Sequence, residues 1–219
     1  MIAIVDYGAG NIRSVERAVH AAAQAQGLTA QPICLVREPE ELLLADRVLF
    51  PGQGAMHDCM ASLEASGMRA ALLEVIRTRP FFGICVGQQM LLDGSEEGDT
   101  PGLGIFSGRV VRITAERGAR AANGDALKVP HMGWNSVRFV RDHPVTRGLE
   151  ARHNGHWFYF VHSFVACPDQ PSDILGQADY GMTLSCALAR DNIVATQFHP
   201  EKSAEAGLQM LQNFLVWNP

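Results

Sequence analysis

Cys85 lies within Pro80-Phe81-Phe82-Gly83-Ile84-Cys85-Val86-Gly87-Gln88-Gln89-Met90, with a glycine two positions away on either side. A nucleophile lifted above a sheet on a strained strand-to-helix turn needs small residues at those two positions, as in the G-x-S-x-G elbow of serine enzymes. The chain offers the cysteine counterpart, Gly83-Ile84-Cys85-Val86-Gly87. At the first residues of a helix, the thiol would face unpaired backbone N–H groups and the positive end of the helix dipole, and both favour thiolate. The same stretch also suits a small buried thiol at a strand end, because free cysteine is among the most buried residue types.

A nucleophilic thiol needs a base. Of the eight histidines, His199 in Thr196-Gln197-Phe198-His199-Pro200-Glu201-Lys202-Ser203 is the best placed. Pro200 keeps His199 out of helical geometry, at the carboxyl end of a strand, where open α/β sheets bind ligands. Glu201 follows beyond the rigid proline and can turn back to an imidazole nitrogen, fixing its tautomer as the third member of a triad. Taken alone, a His-Pro pair equally suits a hydrogen-bonded histidine at a strand end. A third element, Pro51-Gly52-Gln53-Gly54, joins a strand to a helix and can turn backbone N–H groups toward a neighbouring site, as an oxyanion hole requires. On its own it is also an ordinary Gly/Pro turn.

The elements that must position these residues are legible from periodicity. "IAIVDYG" reads as a buried strand, and "NIRSVERAVHAAAQAQG" as a helix with Ile12, Val15, Val19 and Ala22 on one face, capped in the region of Asn11 and Ser14. "ICLV" and "DRVLFPG" are strands, "PEELLLA", "AMHDCMASLEASG" and "MRAALLEVIRT" helices, and "RPFFGI" then "VGQQMLL" a strand and a helix. Such alternation predicts an open, mostly parallel, doubly wound α/β sheet. From Gly102 the texture becomes β-rich, with strands in "GIFSGRVVRI", "GWNSVRFV", "HWFYFVHSF", "TLSCALAR" and "NIVATQF". "SAEAGLQMLQNFLVW" closes the chain as a helix with Leu208, Leu211 and Leu215 on one face and Ser203 as N-cap. The stretch from 114 to 128 reads as an exposed hairpin or loop.

With 219 residues the chain suits one hydrophobic core, so a single domain over 1–219 is expected. Net charge of −5 with no Lys/Arg cluster argues against nucleic acid as a partner. "MIAIVDYGAG" has no basic n-region or cleavage site, and no apolar run reaches the ~18 residues of a membrane span, which predicts a cytoplasmic protein. Five scattered cysteines (Cys34, Cys59, Cys85, Cys167, Cys186) without a C-x-x-C pair suggest neither a disulfide framework nor a zinc site.

Together, "FPGQGAM", "FFGICVGQQML" and "TQFHPEKS", in this order and at these separations, resemble the triad-type (class I) glutamine amidotransferases over essentially the whole chain. "VDYGAGNIRSV", "PHMGWNSV" and "WFYFVHSF" narrow the resemblance to the glutaminase subunits of imidazole glycerol phosphate synthases. The resemblance implies a flavodoxin-like fold, a Cys85, His199 and Glu201 triad, and oxyanion donors in the backbone N–H groups of Gln53 and Val86. It further implies that Gly52, Gln89 and the backbone around His162, Ser163 and Phe164 bind the substrate, L-glutamine. No cofactor or metal is implied. The implied partner is a (β/α)8-barrel cyclase subunit, forming a heterodimer and taking up the ammonia, with Trp134, Asn135 and Lys202 facing it. The sequence departs from that family at Val86, Gln88 and Phe164, where leucine, methionine and tyrosine are usual; the last change removes a hydroxyl.

Other readings are weaker. "GAGNIRSV" has Arg13 where a dinucleotide fingerprint needs its third glycine. A metal site from His153, His156 and His162 would have to converge from one strand and its preceding turn. Glutaminases of anthranilate or aminodeoxychorismate synthesis usually carry histidine at the position of Gln88 and lack "PHMGWN". An inactive binding subunit on the same fold would not need the complete triad.

Overall fold

The computed structural model describes residues 1–149 and 155–219, so His153 lies outside the described residues. In chain order the elements are β1 (Ile2–Val5), α1 (Ile12–Ala25), β2 (Ile33–Val36), α2 (Pro39–Leu42), β3 (Arg47–Gly52), α3 (Met56–Ala65), α4 (Arg69–Val75), β4 (Phe81–Cys85) and α5 (Val86–Gln89). There follow β5 (Leu92–Ser95), β6 (Thr100–Pro101), β7 (Phe106–Arg112), β8 (His131–Phe139), β9 (His156–His162), β10 (Phe164–Pro168), β11 (Ile174–Asp179), β12 (Thr183–Arg190), β13 (Ile193–Thr196) and α6 (Ala204–Val216).

Hydrogen bonding sets the order β2-β1-β3-β4-β13-β12-β10-β7-β5-β6. The first five run parallel. β1, β3, β4 and β13 are buried at every residue, as strands covered on both faces must be, which is why they read as unbroken apolar runs. Beyond β13 the sheet turns antiparallel through β12, β10 and β7, and a side branch carries β11, β8 and β9. The helices fall into separate groups, α1 against α6 and α2 against α4, completing the open, doubly wound α/β fold with a β-rich second half. No helix among the described residues is long and apolar enough to cross a membrane.

Three local expectations change. The helix after Cys85 is a single turn, and the chain re-extends into β5 at Leu92. With only four residues, its dipole adds little at the thiol. "HWFYFVHSF" breaks at Ser163 into β9 and the start of β10, which pair with different neighbours. The helix N-termini also differ: Asn11 and Ser203 occupy N-cap positions, but neither side chain caps. Instead, the Ser203 hydroxyl donates to the His199 carbonyl (2.5 Å) and accepts from the Tyr159 N–H (3.0 Å).

Candidate active site

The order β3-β4-β13 brings three carboxyl ends side by side. Gly52 pairs with Cys85 across β3 and β4, and Thr196 pairs with Ile84 across β13 and β4. Gln53, Cys85 and the segment after Thr196 therefore emerge at one edge, where ligands bind in such sheets.

Cys85 is the sharp point of that edge. Its φ of 56° lies in the left-handed region, which costs a non-glycine residue roughly 1–3 kcal/mol and persists only where the surroundings enforce it. Here they do so through contact. A Cβ on Gly87 would sit 2.0 Å from the Phe50 carbonyl oxygen, and one on Gly52 would sit 2.7 Å from the Gly87 nitrogen. The elbow is thus pressed against β3 so closely that neither position admits a side chain. Val86 is the first helical residue, so the turn leaves its N–H without an intrahelical acceptor.

His199 follows β13, fixed from behind by its N–H to the Tyr159 carbonyl (3.0 Å). Its Nδ1 is 2.8 Å from Glu201 Oε1, and both side chains are almost fully buried. Among the described residues Nε2 has no hydrogen-bond partner, and His199 lines the same cavity as Cys85. Burial pulls the imidazole pKa down, but Cys85 and then Glu201 pull it up more strongly, leaving it well above the ordinary histidine value.

The cavity has a volume of about 340 Å³. Cys85, His199, Gln53, Val86, Gln89, His162, Ser163, Phe164 and Lys202 all reach its wall, whereas Gly52 lies behind it in the β3–β4 seam. Gln89 donates from Nε2 to Gln197 Oε1 (2.8 Å) and to the Phe164 carbonyl (3.3 Å). Both amide hydrogens are then committed, and only its carbonyl oxygen is left for a ligand. The Gln53 carbonyl accepts from the Cys59 thiol (3.3 Å), tying the turn to α3.

Two contributors were not anticipated from sequence. Glu97 reaches the wall from beyond β5, and its Oε2 accepts from the Met56 N–H (2.7 Å) at the start of α3. Gln197 lies behind the thiol, with Nε2 3.7 Å from Cys85 Sγ. The parallel register foreshadows this contact, because the residue after Thr196 must fall beside the residue after Ile84.

The β8–β9 hairpin borders the same cavity. Trp134 is 50% exposed rather than buried in the core, its ring meeting Tyr159 edge-on at 6.3 Å, and Lys202 Nζ lies 5.9 Å from the Tyr159 centroid. Met132 and Trp157 are exposed too. Asn135 turns inward, to the Asp179 carbonyl (2.8 Å) and His131 Nε2 (3.2 Å). Among the described residues, no group of three or more His, Cys, Asp or Glu is arranged to hold a metal ion. The five cysteines are all free.

Comparison with known proteins bears on this geometry. The profile of the family "Glutamine amidotransferase class-I" matches residues 3–217. "Imidazole glycerol phosphate synthase subunit HisH" of Neisseria meningitidis serogroup A is 50% identical over 215 residues, covering 98% of this chain and 99% of that protein. The protein of the same description from Chromobacterium violaceum is 48% identical over 217 residues, covering 99% and 98%. A solved structure described as a glutamine amidotransferase superposes with a TM-score of 0.68 at 16% identity, covering 98% of this chain and 99% of that one; it supports the fold alone.

Proposed function

The chain belongs to the class-I glutamine amidotransferase family, and from that premise we propose that Cys85, His199 and Glu201 make it the glutaminase subunit of an imidazole glycerol phosphate synthase. The observation that carries the site assignment is the buried His199–Glu201 pair, 2.8 Å apart, whose imidazole lines the cavity that Cys85 also lines from the left-handed elbow.

The Cys85 thiolate attacks the carboxamide carbon of L-glutamine; the C–S bond forms as the carbonyl π pair moves onto oxygen. The N–H groups of Val86 and Gln53 stabilise that oxyanion, each donor supplying roughly 10²–10³ in rate. Collapse expels the amine as His199 gives it a proton, leaving a glutamyl thioester and ammonia. His199 then deprotonates water, which displaces the thiolate and releases glutamate. Glu201 holds the imidazole tautomer throughout. The free Gln89 carbonyl oxygen and the Glu97 carboxylate suit an α-ammonium group, and the backbone of His162, Ser163 and Phe164 the α-carboxylate end.

Ammonia released into water becomes protonated and loses its nucleophilicity. We assign its uptake to a (β/α)8-barrel cyclase partner that makes imidazole glycerol phosphate and AICAR. The exposed Met132, Trp134 and Trp157, contiguous with Lys202 at the cavity rim, form a face enriched in the residue types of protein interfaces. The test is glutamate release by the purified chain, alone and then with a barrel cyclase and its nucleotide substrate. Stimulation by the pair that disappears in Cys85→Ala is the expected result. Activity surviving Cys85→Ala overturns the mechanism, and activity indifferent to the cyclase overturns the partner.

A further inference from the structure

We infer that Gln197 is a positioning residue for the nucleophile: its carboxamide is locked with the N–H side toward Cys85 Sγ, where it favours the thiolate. The inference rests on Cys85 being the nucleophile, as proposed above. Gln197 is 0% exposed, and its backbone N–H is fixed on the Cys186 carbonyl (2.8 Å), so the side chain has little freedom.

The direction of the amide follows from one main-chain atom. The Phe164 carbonyl oxygen can only accept, and it lies 3.3 Å from the Gln89 amide and 2.7 Å from His162 Nδ1. Gln89 must therefore present its NH2 on that side. The same NH2 lies 2.8 Å from the Gln197 side chain, so Gln197 must present oxygen to it. The remaining half of the Gln197 amide, its own NH2, is then the half 3.7 Å from Cys85 Sγ. The reverse orientation would set two NH2 groups against each other and turn an oxygen lone pair toward a thiolate. With α5 only one turn long, this N–H offers the sulfur polar support that a long helix would otherwise provide.

His162 strengthens the assignment from the opposite side. Donation from Nδ1 to Phe164 leaves Nε2 as an acceptor 2.9 Å from His131 Nδ1, which must then carry the hydrogen, and His131 Nε2 accepts from Asn135. Every hydrogen from the hairpin to the thiol is thus assigned without a conflict. Phe164 is the point where the two branches meet.

The experiment follows alkylation of Cys85 by iodoacetamide as a function of pH in the full chain, with the modified cysteine identified by peptide mass spectrometry. Gln197→Met preserves volume and removes the donor; Gln197→Glu preserves shape and replaces NH2 with oxygen. Both are expected to move the alkylation midpoint upward by about one pH unit, the order expected of one hydrogen bond to a charged group. Both should also lower kcat more than they raise KM. Gln89→Met, which does not touch Sγ, should give a smaller upward shift by freeing the Gln197 amide to turn over. Unchanged midpoints in folded Gln197→Met and Gln197→Glu overturn the inference, even where the melting temperature falls. Glutaminase activity surviving Cys85→Ala overturns the underlying functional reading instead, so the two failures are distinguishable.

Discussion

His199 and the His131–His162 pair are buried to a similar degree, yet their proton affinities move in opposite directions. For His199, burial is outweighed by Cys85 and Glu201, and the pKa rises. His131 is lowered by burial alone to about 4. His162 goes to about 3, where burial again leads and the bond to the Phe164 carbonyl opposes it only in part. A carbonyl dipole beside an imidazole does not replace a carboxylate. The first site can hold and move a proton; the second is two neutral rings whose hydrogens are fixed by their acceptors.

The largest effect on this contrast comes from removing the two groups that raise the His199 pKa. Cys85→Ala should reduce glutaminase turnover by about 10⁴-fold or more, as loss of a nucleophile does in a triad enzyme, measured by steady-state glutamate release. It should also lower the His199 pKa toward the behaviour of the other pair, observed by imidazole NMR titration. Glu201→Gln keeps the shape and removes the charge, and should cost about 10³–10⁴ in kcat by releasing the tautomer.

Stability against pH should separate the two sites by the sign of the slope. His131 and His162 have depressed folded pKa values, so on acidification below about 6.5 the unfolded chain takes up protons the folded chain refuses; each such imidazole loses about 2 kcal/mol by pH 5. His143, lowered to about 4 by burial and then by Arg141, adds to the same slope. His199 has the opposite sign: its contribution is fully present below about 6.5 and is lost as pH rises through its raised folded value. Thermal melts from pH 8 to pH 5 should thus fall in the wild type, flatten in His162→Gln and steepen in Glu201→Gln.

A smaller effect is expected at the head of the neutral chain. Asn135→Ala removes the donors to His131 and to the Asp179 carbonyl, and should cost about 1–2 kcal/mol in urea unfolding. Trp134→Ala, on the exposed side of the same strand, should change folding stability by less than about 0.5 kcal/mol while weakening cyclase binding.

The proton-handling site was the more legible of the two in the sequence. The nucleophile needs glycines at fixed offsets, and the histidine and glutamate need only a proline between them, so local spacing carries most of the geometry. The neutral pair depends on a register: His131 lies opposite His162 because β8 and β9 pair, and neither strand announces its partner. Gln197 carries no signal of its own in the sequence, although its placement follows once β13 is set against β4. Glu97 arrives from a long-range contact beyond β5, a strand that the periodicity leaves unassigned apart from Leu92, which reads as the end of the preceding helix. Ser203 looked like a cap because its residue type favours one, but the hydroxyl found stronger use between His199 and Tyr159.

The placement of the tryptophans gives the protein an optical property of its own. The chain has three. Trp134 and Trp157 are 50% and 54% exposed on the β8–β9 hairpin, while Trp217 is 5% exposed against Phe214 and His143. Intrinsic fluorescence is therefore two signals of different origin. The red-emitting component reports the hairpin and should shift blue when a partner covers it. The blue-emitting component reports the end of α6 and should shift red only when the fold opens. Emission spectra of the unlabelled protein can follow docking and unfolding as separate events in one cuvette.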